Sequence, residues 1–165
     1  MRKFKATKDN YKFKNILDIC KNNCLYFTLT EQDQLDCKKE NPIYNQFLKE
    51  LSPNFIMQFK TPLWFDGYTH PINPYKISIF ILNEKTKAIL SFYIDNLFYL
   101  DNSGGVLDLP EDICFFREDN TLFLGTSTHC SFAVFYLTDQ ETQTITLPDG
   151  FEERPEIHFT AILPI

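Results

Sequence analysis

The sequence lacks most of the short signatures that would declare an activity. Its five glycines in 165 residues form no Gly-rich phosphate loop, and neither HExxH nor G-x-S-x-G occurs. No D-x-D-x-D-G loop is present for calcium. The longest apolar stretch, near Ile77–Leu82, is strand length and falls far short of the ~20 residues a membrane span needs. No apolar segment follows Met1-Arg2-Lys3-Phe4-Lys5, so neither a secretory signal nor a membrane anchor is expected. The five cysteines (Cys20, Cys24, Cys37, Cys114, Cys130) are odd in number and scattered. Cys20 and Cys24, with Cys37 following, lack the second close pair of a zinc ribbon. They read as free thiols in a reducing cytoplasm, with no metal or cofactor expected.

Positive charge is also scarce through much of the chain. Residues 1–60 hold 11 Lys/Arg and 7 Asp/Glu, a net of +4, whereas residues 61–165 hold 5 and 15, a net of −10. From Ala88 onward, Arg117 and Arg154 stand against 13 acids. A nucleic-acid binder must neutralise phosphates with Lys or Arg, so nucleic acid is a poor ligand for this chain. A field of negative sign steers cationic partners instead.

What is abundant is aromatic: 17 Phe, 8 Tyr and 1 Trp. Aromatics favour strands and fill large core volumes. With 44% hydrophobic and 23% charged residues the composition is that of a globular protein, and the length fits one domain over 1–165.

Residues 1–53 read as mainly helical and 54–165 as mainly β. Asn10 is placed to cap a helix over 11–23, with Phe13, Ile16, Leu17, Cys20 and Cys24 on one face. Leu25–Leu29 fits a first strand, and Thr30 with Asp33 imitates a capping box. Asn41-Pro42 starts a helix ending at Leu51, with Ile43, Phe47, Leu48 and Leu51 apolar. Asn54–Lys60 follows as a strand, then a Pro-rich loop over 61–74. The strongest hairpin signal is Tyr75–Leu82, a polar turn, and Ala88–Ile94. A second hairpin pairs Ile113–Phe116 with Thr121–Leu124. Further strands are expected at Cys130–Leu137, Thr142–Leu147 and Ile157–Leu163, with turns at Gly104-Gly105 and Pro148-Asp149-Gly150. The fold class is α+β: N-terminal helices packed on a mainly antiparallel sheet, or half-open barrel, of about seven to eight strands.

Two triplets stand out, His129-Cys130-Ser131 and His158-Phe159-Thr160. Strand periodicity places His129 with Ser131, and His158 with Thr160, on matching faces. The pattern resembles the two-histidine phosphoesterases. That resemblance implies His129 and His158 as the acid/base pair on a phosphodiester, with Ser131 and Thr160 holding phosphoryl oxygens. The bland reading is ordinary strand histidines. A metal site from His70, His129 and His158 is not demanded by their spacing. Cys114 or Cys130 with His158 is a conceivable nucleophile pair, but Cys130 is expected to be buried and inert.

The acids fall on turns and loop edges: Asp95, Asp101, Asp108, Glu111, Asp112, Glu118, Asp119, Asp139, Glu141, Asp149, Glu152, Glu153 and Glu156. They serve either as a solvated rim that blunts sheet edges or as a docking face for a basic protein, with Trp64, Phe65 and Tyr68 as aromatic anchors. With the aromatic run Ala88-Ile89-Leu90-Ser91-Phe92-Tyr93-Ile94, the acidic region Ala88–Ile165 resembles, at the level of class, the immunity proteins of bacterial contact-dependent and other polymorphic toxins. The resemblance implies a non-enzymatic inhibitor whose acidic face binds one basic toxin domain. The two-histidine phosphoesterase is the alternative, and a β-barrel carrier of an apolar ligand is a third reading.

Overall fold

The computed structural model describes residues 1–31, 41–98, 109–128 and 130–165. In chain order its elements are β1 (Arg2–Ala6), α1 (Phe13–Asn23), β2 (Tyr26–Glu31), α2 (Pro42–Leu51), β3 (Phe55–Thr61), β4 (Leu63–Trp64), β5 (Gly67–Tyr68), β6 (Tyr75–Ile81), α3 (Glu84–Tyr93), β7 (Glu111–Phe116), β8 (Leu122–Ser127), β9 (Phe132–Leu137), α4 (Asp139–Thr144) and β10 (Phe151–Glu153). Eight strands form one antiparallel sheet in the order β10-β1-β9-β8-β7-β2-β6-β3, and β4 pairs with β5 in a separate small hairpin. The fold is α+β as expected. The eight-stranded sheet is not closed, with β10 and β3 at its ends.

The first 53 residues contribute two inner strands as well as two helices. β1 lies between β10 and β9, and β2 lies between β7 and β6. Burial explains the placement. Phe27 and Leu29 of β2 are fully buried on one face, and Thr28 and Thr30 are buried on the other.

Helices cover one face only. Phe13, Ile16, Leu17 and Cys20 of α1, Phe47 and Leu51 of α2, and Leu90 of α3 pack with Phe27, Phe80, Phe115, Phe123 and Phe135 in the larger core. The opposite face carries a second core with no helical residue: Ile77, Ile79, Cys114, Phe116, Val134 and Tyr136, covered by Trp64, Phe65, Ile157, Ala161 and Leu163. Among the described residues, no helix is long and apolar enough to cross a membrane.

Local chemistry accounts for the helix starts. Asn41 Oδ1 accepts from Ile43 N at 2.8 Å and Tyr44 N at 3.4 Å, with Pro42 in the first turn. Tyr44, however, joins Phe47 and Leu51 on the buried side, whereas Ile43 is 49% exposed. For α1, Asn10 is not the cap. The helix begins at Phe13, whose N–H donates to Asp95 O at 2.9 Å, and Asn10 Oδ1 accepts from Asn96 Nδ2. The partner expected for Thr30, Asp33, lies outside the described residues.

Three expected strands are absent. Residues 84–93 form α3, not the second arm of a hairpin, because Asn83 and Thr86 close a capping box. Asn83 Oδ1 accepts from Lys85 N and Thr86 N, and Thr86 Oγ1 accepts from Asn83 N at 2.8 Å. A helical turn then places Thr86, Leu90 and Ile94 inward and leaves Phe92 80% exposed. The stretch expected as strand 142–147 is likewise pre-empted by a Thr138–Glu141 capping box that starts α4 at Asp139. Residues 157–163 run across the second core without forming a strand, with one isolated backbone bridge, Thr121–Ile162, and a hydrogen bond from Tyr136 Oη to Phe159 O. The β7–β8 hairpin and the β9 strand stand where the sequence placed them.

The Asn83→Ala variant removes one half of the α3 capping box. Its unfolding free energy should fall by about 1 kcal/mol, measured by urea denaturation, because one cap bond and two first-turn N–H groups lose their partner. An unchanged midpoint and slope would show that packing alone sets this helix.

A candidate functional site on the helix-free face

The β4–β5 hairpin turns in two residues, Phe65 and Asp66, between the paired Trp64 and Gly67. Phe65 occupies the left-handed region at φ 46°, where two-residue hairpins normally place glycine. Such a conformation costs a bulky residue on the order of 1–3 kcal/mol. Burying a phenylalanine side chain contributes about 1.5–3 kcal/mol, so the two are matched. The Phe65 ring is 4% exposed and lies directly over Gly125 of β8, where any Cβ would overlap it. It also packs against Phe132, Tyr136 and Phe159 at centroid distances of 6.0, 6.4 and 6.3 Å. Trp64 sits 5.5 Å from Phe59 and 6.0 Å from Phe116. Trp64 and Phe65 are therefore core anchors of the hairpin, and not the exposed partner anchors expected; Tyr68, 70% exposed, is the one available at the surface.

Docked this way, the hairpin and the sheet enclose a cavity of about 220 Å³. Its lining includes Asp66 and Tyr68 from the hairpin, Thr30 of β2, Tyr75 of β6, Asp112 of β7, Thr126 and Ser127 of β8, and Cys130. Among the described residues, no Lys, Arg or His is in that lining. Asp112 also has positive φ, at 49°, and clasps the segment after β8. Its Oδ1 accepts from Thr128 N at 2.6 Å, and its own N–H donates to Thr128 Oγ1 at 2.9 Å. Ser131, next to Cys130, is a third residue at positive φ, 46°. Strained backbone gathered around one polar recess is a feature of functional sites.

The electrostatics agree. Burial pushes the Asp112 carboxyl up to about 6, with Glu111 and Asp66 adding in the same direction against the Thr128 hydrogen bonds. Burial also raises Asp66, opposed by a hydrogen bond with Ser127. The Tyr75 hydroxyl is raised by burial and then by Asp112 and Asp66. Two neighbouring carboxylates, with no cation among the described residues of the lining, make this a perturbed acidic cluster on the helix-free face.

His129 lies outside the described residues, Ser131 sits in a turn before β9, and His158 and Thr160 are exposed on a segment that is not a strand. His158 borders a different groove, with Lys5, Phe132, Arg154 and Glu156. Cys114 is buried and its thiol is pushed up to about 12, chiefly by burial, whereas Cys130 is exposed at the cavity, against expectation. His70 is exposed in the loop before β6, its Nδ1 accepting from Ile72 N. Among the described residues no three His, Cys, Asp or Glu are grouped to hold a metal ion.

The expected acidic docking residues divide by environment. Asp95, Glu118, Asp119, Asp139, Asp149 and Glu156 are exposed, while Glu111 is buried at 1% and Asp112 turns into the cavity. Three others are met by the chain's own arginines. Glu153 pairs with Arg2 at 2.6 Å, Glu152 with Arg154 at 2.7 Å, and Glu141 with Arg117 at 2.7 Å. Asp101 and Asp108 lie outside the described residues. Burial alone would raise the Glu141 carboxyl, but hydrogen bonds from Arg117 and Thr138 outweigh it and hold it below its usual range. Asp66, Thr30 and Tyr75 were not singled out by sequence reasoning. The signal available for Asp66 was the Asp66-Gly67 pair after Trp64-Phe65, a turn-forming dipeptide.

Gly125→Ala should destabilise the protein by about 1–3 kcal/mol in chemical denaturation, because the new methyl meets the Phe65 ring. Asp112 gives a pH test. Its folded value near 6 exceeds the ordinary 3.8, so its protonation stabilises the fold fully below 3.8, and that contribution is lost as pH rises through 6. Between pH 5 and 7.5 this group should cost about 1 kcal/mol of unfolding free energy. Asp112→Asn keeps an oxygen for Thr128 N and tolerates positive φ, so its stability should fall less over that range; an identical pH slope in the two proteins would refute the assignment. No protein-family model, curated protein or solved structure matches this chain, so the reading of the site rests on its geometry.

Proposed function

We propose that this protein is a non-enzymatic protein-binding inhibitor, most concretely a toxin-neutralising immunity protein that engages a basic toxin domain. The observation that carries the reading is the Asp66–Asp112 recess, a concave carboxylate site with aromatic walls and, among the described residues, no cation in its lining. The chain's net charge of −6 supplies the long-range field that brings a cationic surface to it. Exposed Glu118, Asp119, Asp139 and Asp95 extend that field, and exposed Tyr68 supplies an aromatic contact beside the recess. Glu141, Glu152 and Glu153 are occupied by arginines and are secondary contributors.

The experiment is co-expression with a basic toxin domain, sought in the reading frame beside this chain. The two should co-purify at low ionic strength, the complex should weaken steeply as salt is raised, and the toxin's activity should be suppressed at stoichiometric inhibitor. A complex indifferent to salt, or full toxin activity in the presence of excess protein, would overturn the proposal.

A further inference from the structure

The cavity beside Asp66 and Asp112 contains two groups whose hydrogen-bonding capacity the fold leaves unused. Thr30 is 1% exposed and Trp64 7% exposed, and among the described residues neither Thr30 Oγ1 nor Trp64 Nε1 has a hydrogen-bond partner. Both residues line this cavity. Buried polar atoms are nearly always satisfied, and an unsatisfied one calls for a specific reason. Two at one recess, together with two carboxylates, point to a polar, cationic visitor.

We propose that the recess seats a lysine side chain of the basic partner, its ammonium held by Asp66, Asp112 and Thr30 Oγ1. The inference rests on the inhibitor reading for the source of the lysine, and on the recess alone for the chemistry. An ammonium presents three donors on a compact head. Asp112 already accepts from Thr128 N through Oδ1 and Asp66 is engaged by Ser127, so each carboxylate retains acceptor capacity for one donor, and Thr30 Oγ1 takes the third. Trp64 and Tyr68 supply aromatic surface for the alkyl stem and for a cation–π contribution. Trp64 Nε1 donates to a water or carbonyl that enters with the stem. A planar guanidinium fits this set less well, since its fixed fork matches one carboxylate edge-on and leaves Thr30 unmet. A divalent cation would need a third ligand, and the described residues group no three His, Cys, Asp or Glu for one.

The test uses the intact chain and n-butylammonium chloride as the probe, followed by amide chemical shifts in NMR. Saturable shifts at Asp66, Asp112 and Thr128 are expected, with n-propylguanidinium binding more weakly. Asp66→Asn should weaken butylammonium binding by about tenfold, equivalent to 1.4 kcal/mol, and Thr30→Val several-fold. The second variant preserves shape and keeps the test decisive if the first unfolds. No saturable shift, equal binding by both variants, or tighter binding of propylguanidinium overturns the lysine seat. A toxin complex undiminished by Asp66→Asn overturns it too, and leaves the inhibitor reading standing. A chain that binds butylammonium as described but never restrains the toxin keeps the ammonium site and overturns the inhibitor reading.

Discussion

The central strands of the eight-stranded sheet are buried on both faces, and among the described residues helices cover only one. β8 is buried at all six of its positions, and β7 and β9 at five of six. A sheet in that position must find a second cover. Among the described residues the cover is small: the four-residue β4–β5 ladder and the irregular segment that brings Ile157, Ala161 and Leu163 across. So little chain spread over so wide a surface has to place its bulk with care. That is why Phe65 accepts a left-handed backbone to set its ring on Gly125. The recess at the hairpin's side is what the cover leaves open, and Asp66, carried on the same two-residue turn as Phe65, is delivered to it by that packing.

Charge in this chain serves two ends that the sequence alone does not separate. Arg117 shows the structural one. Its guanidinium makes a two-pronged contact with Glu141 at 2.8 and 2.7 Å, donates to Leu122 O at 2.8 Å and to Tyr136 O, and lies 4.9 Å from the Phe123 ring centroid. It thereby ties β8, β9 and the first turn of α4 together, and the Glu141 side chain closes the α4 capping box in the same contact. Arg2 and Glu153 join the paired strands β1 and β10 in a more exposed and weaker version of the same lock. The acids so engaged are part of the scaffold. Asp66 and Asp112 differ because the described residues of the lining include no such partner.

Legibility followed how far each segment's information was local. Asn41-Pro42 and the β7–β8 hairpin were readable because cap, turn and apolar run all agree. The α+β class was readable from aromatic content and strand-length runs. The α3 segment misled because Ala88–Ile94 is nearly continuously apolar, a pattern that fits a buried strand and a buried helix equally. The deciding information sat five residues upstream in Asn83 and Thr86. Thr138-x-x-Glu141 carried the same message for α4. His158 and Thr160 looked like strand partners because alternation was assumed where the chain runs irregularly. The candidate site was the least legible part. Asp112 looked like one more rim acid, and only the β7 backbone at φ 49° turns it inward. Asp66 lay in a loop rich in proline, and its proximity to Asp112 depends on pairing across residues far apart in sequence.

The desolvation that disfavours Asp112 ionisation in the free protein is the property that makes the recess selective for a cation. In this acidic recess burial and the neighbouring carboxylates of Glu111 and Asp66 all oppose charge, so Asp112 is raised to about 6. An ammonium entering between the two carboxylates reverses the second effect and supplies the attraction that solvent would otherwise have given. A neutral or anionic group gains nothing comparable there. Thr30 and Trp64 sharpen the preference, because their unpaired polar atoms reward a ligand with hydrogen-bonding capacity over one that merely carries charge. The recess therefore holds stability in reserve, and binding of the right cation releases it.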